Sequence, residues 1–98
     1  MSLIEDRHVL LRKYYQVYAD LNVNVRRPDI LAAIVNSLAP MQKIEIQGHQ
    51  TRIILEGDVE VKIGYDPFIQ VSCPDHEKTI QTFNKILTAI KNAIEKSL

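Results

Sequence analysis

The chain has 98 residues, 46% of them apolar and 24% charged, and its 12 Lys and Arg balance 12 Asp and Glu. This predicts one globular domain, residues 1–98, with no intrachain disulfide, because Cys73 is the single cysteine. Zero formal charge supplies no global field for nucleic acid or an anionic membrane, and little repulsion against self-association. No apolar run approaches the roughly 20 residues of a membrane span. Glu5, Asp6 and Arg7 interrupt any apolar stretch of signal-peptide type. The expected setting is cytoplasmic, without membrane.

Leu3–Ala19 is predicted to be a helix. Leu10, Tyr14, Val17 and Leu21 lie on one stripe, with Leu11, Tyr15 and Tyr18 beside it. The acids Glu5 and Asp6 precede Arg12 and Lys13, the order that a helix dipole favours. Leu21–Val25 alternates strictly between apolar residues and Asn, which predicts a short strand. Pro28–Leu38 is a second helix, with Pro28 in the first turn and Ile30, Leu31, Ile34, Val35 and Leu38 as its apolar stripe.

From Met41 to Cys73 the period changes to two. Ile44 and Ile46, then Ile53 and Leu55, then Val59, Val61 and Ile63, then Ile69 and Val71 alternate with mostly polar residues. Matching faces sets the expected registers. A Gly48–Thr51 loop pairs Ile46 with Ile53 and Ile44 with Leu55. A three-residue loop, Glu56-Gly57-Asp58, pairs Leu55 with Val59. A loop at Tyr65-Asp66-Pro67 pairs Ile63 with Ile69. The opposite face then holds Lys43 facing Glu56, Arg52 facing Lys62, and Phe68 facing Gly64.

Ser72-Cys73-Pro74-Asp75 is expected to start the last helix, with Ser72 and Asp75 resembling a capping box and Pro74 fitting the first turn. The stretch Thr79–Leu98 of that helix carries the strongest periodic signal. Ile80, Phe83, Leu87, Ile90 and Ile94 form its stripe, widened by Ile86 and Ala93. The predicted fold is α+β. An antiparallel, four- to five-stranded meander is packed on one face by helices, in the order α-β-α-β-β-β-β-α. Leaving out the first helix, the element order over Leu21–Leu98 is similar to one half-repeat of the TATA-binding-protein fold. A DNA-binding saddle would present a basic or apolar outer face. Here Glu45, Glu56 and Glu60 stand on it.

No motif in the chain specifies a reaction. Cys73-Pro74-Asp75-His76 has a C-x-x-H spacing, yet a zinc site needs about four ligands, and only His8 and His49 remain to help. Alternation puts Cys73 on the buried face, as a structural thiol. His49 reads as a turn residue. No catalytic residue, metal ligand or cofactor is assigned, and the chain is expected not to be an enzyme.

Arg26 and Arg27, ahead of Pro28, are the candidate anion or partner contact. Tyr14, Tyr15 and Tyr18 are the candidate interface. These point first to a protein-interaction domain, either a homo-oligomer or a subunit bound to an unlike protein. A second reading is a nucleic-acid module using Arg12, Lys13, Arg26 and Arg27, which the neutral charge disfavours. A third is a small-molecule pocket near Tyr14, Tyr18, Cys73 and Phe83.

Overall fold

A computed structural model describes residues 14–38 and 40–97. The architecture is α+β, with five antiparallel strands in one sheet and two helices. The strands are β1 (Tyr15–Asp20), β2 (Lys43–Ile46), β3 (Gln50–Leu55), β4 (Val59–Gly64) and β5 (Phe68–Cys73). The helices are α1 (Pro28–Ser37), between β1 and β2, and α2 (His76–Lys96), after β5. The sheet order is β1-β5-β4-β3-β2, so β2 to β5 form a meander and β1 joins beside its last strand.

Alternation sorts the two faces. Ile53, Val59, Val61, Ile63, Ile69, Val71 and Cys73 are fully buried on the inner face. Ile30 and Ile34 from α1 and Ile86 from α2 complete this core. α2 packs over β5 and β1 and lies against α1.

Two hairpins keep their expected registers, with Leu55 opposite Val59 and Ile63 opposite Ile69. In the first turn Gly57 has φ +85° and Asp58 has φ +60°. Glycine enters this region at no steric cost, and Asp is among the residues that tolerate it. Lys78 Nζ donates to the Glu56 carbonyl at 3.2 Å and ties the turn to α2. In the second hairpin the Phe68 ring covers Gly64, where a Cβ would fall 1.8 Å from Phe68 Cε1.

The β2–β3 hairpin departs by two residues. Ile44 faces Ile53 and Ile46 faces Thr51, so Lys43 faces Ile54 and not Glu56. The Gln47 N–H donates to the Gln50 carbonyl at 2.8 Å, which shortens the connection to Gly48-His49. A two-residue slip keeps every side chain on its face, so hydrophobic alternation could not have detected it.

The N-terminal half departs more. Of the expected helix Leu3–Ala19, residues 3–13 lie outside the described residues, and Tyr15–Asp20 is a strand. Tyr15, Val17 and Ala19 also obey a period of two. Pairing all six residues of β1 with β5 satisfies backbone groups that β5 would otherwise leave at an edge. The expected strand Leu21–Val25 is instead a loop. Asn24 Oδ1 accepts the Arg26 N–H at 3.0 Å, and the Asn24 carbonyl accepts the Arg27 N–H at 3.2 Å. Such local bonds compete with a strand ladder. Val25 still enters the core, and Leu21 and Val23 pack against it.

The last helix begins at His76, so Ser72-Cys73-Pro74-Asp75 precedes it and Pro74 is not in its first turn. Ser72 belongs to β5, and the cap is Asp75, whose Oδ1 accepts the Lys78 N–H at 3.1 Å. Asp75→Ala is expected to cost about 1 kcal/mol, read as a lower denaturant midpoint with an unchanged m-value. The buried stripe of α2 is Thr79, Thr82, Ile86, Ile90 and Ala93. It is rotated from the sequence stripe, and Ile80 remains 40% exposed.

Candidate functional site

β2 is one of the two edge strands, and its outer ladder positions are open among the described residues. In an antiparallel pair the backbone groups of successive residues point alternately toward and away from the neighbouring strand. The Gln47–Gln50 bond sets the phase. Lys43 and Glu45 turn their N–H and C=O toward β3, and Ile44 and Ile46 turn theirs to the free edge. The isoleucine side chains lie on the inner face, yet Ile44 is 43% and Ile46 73% exposed. The reason is position, because α2 covers the opposite end of the sheet, at β5 and β1. A free ladder and two bare isoleucines therefore coincide on one four-residue strand.

On the outer face, charge is arranged in a chain. Lys43 Nζ lies 2.9 Å from Glu45 Oε1, Arg52 Nη1 3.6 Å from Glu45 Oε2, Arg52 Nη2 2.6 Å from Glu60 Oε2, and Lys62 Nζ 3.5 Å from Glu60 Oε1. Two glutamates thus separate three cations, which explains how Arg52 and Lys62 can sit opposite each other. The hydrogen bond from Lys43, then its charge and that of Arg52, hold the Glu45 carboxyl below the ordinary carboxylate range. A depressed carboxylate contributes stability above its unfolded pKa, and that contribution is lost as pH falls through the folded value. These pairs are partly exposed at the surface, so solvent screens each of them and each contributes modestly to stability.

The expected tyrosine cluster is divided between faces. Tyr15 lies on the inner side, its ring edge-on to His76 with centroids 5.0 Å apart. Tyr18 lies on the outer side, stacked on Phe68 at 5.3 Å, with its hydroxyl donating to Asp20 Oδ1 at 2.9 Å. Tyr14 also lies on the outer side, near Arg52, Ile54 and Ser72. Cys73 is fully buried on the inner face, so Tyr14, Tyr18, Cys73 and Phe83 do not line one pocket.

The two arginines do not converge. Arg27 makes a double contact with Asp29, Nε to Oδ1 at 3.1 Å and Nη2 to Oδ2 at 2.6 Å. This contact holds the Asp29 carboxyl below its usual range. Arg26 lies over the Tyr65 ring, 5.0 Å from its centroid. Arg12 and Lys13 fall outside the described residues.

No protein-family model matches this chain, and no curated protein does.

A groove of about 690 Å³ runs between α1 and α2, with Ala32, Ala33, Ala89 and Ala93 in its walls and Asp29 and Lys96 at its rim. Asn36, Ser37, Asn92 and Ser97 add polar groups to its lining. Among the described residues, no group of three or more His, Cys, Asp or Glu side chains is placed to hold a metal ion. No described helix is long and apolar enough to cross a membrane.

Sequence reasoning assigned Ile44 and Ile46 to the covered face and so passed over them. The available signal was order in the chain. β2 is the first strand of the meander and a short one, and such a strand commonly stands at an edge.

Proposed function

We propose that this chain is a protein-interaction domain that associates by strand addition at the free edge of β2, as a self-associating unit or a subunit of a larger assembly. The observation that carries this reading is the exposure of Ile44 and Ile46 beside their own backbone groups, which are unpaired among the described residues. Strand addition uses both features. The backbone ladder supplies hydrogen bonds, and alternate side chains supply specificity. The partner is therefore an extended segment with apolar residues at every second position.

The nucleic-acid reading gains no support from the arginines. Arg27 is neutralised by Asp29, and Arg26 is engaged with Tyr65. Glutamates interleave the outer cations, which opposes a phosphate backbone.

The test is Ile46→Lys, followed by light scattering after size exclusion over a wide concentration range. Wild-type mass is expected to rise above that of the monomer as concentration increases, and the variant to need at least tenfold more protein for the same rise. The melting curve should hardly move, because Ile46 is mostly exposed. Identical mass profiles for the two proteins would overturn the reading.

A further inference from the structure

The charge pattern of β2 selects a partner for this edge. We infer that the occupant is a second copy of this chain, its β2 antiparallel to the first about a two-fold axis at Ile44, giving one ten-stranded sheet. The inference rests on the edge reading above and adds the partner and the register.

A two-fold axis makes an interface of the same patch on both copies. The outward backbone groups belong to Ile44 and Ile46, so the ladder admits only registers in which outward residues face outward residues. The axis must then pass through a residue position and not between two. Four such positions lie in β2, and side chains discriminate among them. An axis at Lys43 puts the two Lys43 side chains directly opposite each other. An axis at Glu45 does the same with the two Glu45 carboxylates. Like charges in directly opposed positions are destabilising. An axis at Ile46 runs Ile44 and Lys43 onto the turn residues Gly48 and His49 and joins no opposite charges.

An axis at Ile44 places Lys43 opposite Glu45 of the second copy, and Glu45 opposite Lys43 of the second copy. These fall at non-hydrogen-bonded positions, where facing side chains come closest. Ile44 exchanges its N–H and C=O bonds with Ile44 of the second copy. On the inner face the four isoleucines of the two strands then form one apolar row across the seam. Glu45 already lies between Lys43 and Arg52 on its own sheet, so the second copy adds a cation to a carboxylate with unused acceptor positions. The Gln42 N–H is donated to the Ile54 carbonyl, which limits the new ladder to the strand itself. So short a seam falls below the area of a standard stable interface, and the dimer is therefore weak and concentration-dependent.

The test is a charge exchange followed by sedimentation equilibrium. Wild-type protein, Lys43→Glu, Glu45→Lys, an equimolar mixture of the two variants, and the double variant Lys43→Glu/Glu45→Lys are compared. Each single variant should dimerise at least tenfold more weakly than wild type. The mixture should form a heterodimer, and the double variant should return to within about threefold of wild type, because both restore opposite charges at both positions. Circular dichroism melts check folding. Should Glu45→Lys fail to fold once Arg52 loses its neighbour, Lys43→Glu against wild type still decides.

A monomeric wild type at millimolar concentration overturns the inference. So do single variants that dimerise like wild type, and a mixture and double variant that show no recovery. If Ile46→Lys disrupts association while the charge exchange does not, only the register falls and the edge reading stands. If association survives Ile46→Lys, the edge reading itself has failed.

Discussion

Ile86→Ala is expected to lower stability by about 2–5 kcal/mol, and Ile80→Ala by less than about 1 kcal/mol. Both residues are isoleucines on α2, six positions apart, and both belong to the apolar sector read from the sequence. Ile86 is fully buried beneath the helix, whereas Ile80 is 40% exposed on its flank. Removing atoms from Ile86 leaves a cavity among fixed neighbours. Removing them from Ile80 exchanges one partly wet surface for a smaller one. For a domain of this size, 1 kcal/mol corresponds to a shift of roughly 4–8 °C in Tm, so thermal melts separate the two variants readily. Equal losses would mean that α2 is rotated from the orientation described.

Tyr65→Phe is expected to cost about 1–3 kcal/mol, and adding Thr51→Val should recover part of that loss. Thr51 is fully buried, and its Oγ1 lies 2.8 Å from Tyr65 Oη. Either hydroxyl can donate. Deleting one strands the other away from water, which costs its desolvation, whereas deleting both removes the unsatisfied group. A double-mutant cycle by urea denaturation measures this. Strictly additive losses would show that the two hydroxyls do not depend on each other. The pair also holds the Tyr65 ring that lies beneath Arg26, so the same cycle reports on how firmly that turn is anchored.

The candidate site was half legible. The alternation of Lys43, Ile44, Glu45 and Ile46 is visible in the chain, and with it the face of each side chain. Exposure is not visible, since it depends on how far the helices reach across the sheet. Tyr14, Tyr15 and Tyr18 drew attention as one helical surface. The strand conformation of β1 sends Tyr15 to one face and Tyr18 to the other. Arg26 and Arg27 drew attention as neighbours in sequence, and their different partners, Tyr65 and Asp29, separate them.

The sequence by itself determined the features that rest on local chemistry. Period two between Met41 and Cys73 gave the strands and sorted their faces. Gly57 and Asp58 permitted the tight turn between β3 and β4. Pro28 opened α1, and the long three-four repeat gave α2. Tertiary structure decided what depends on neighbours distant in the chain. β1 is a strand because β5 offers it a ladder. The β2–β3 register shifted by two because either choice buries the same face, and only the turn geometry distinguishes them. α2 turned Thr79, Ile86 and Ala93 inward because it is wedged between the sheet and α1. Its apolar sector is wider than that contact can cover, and periodicity does not record which part of the sector the contact takes.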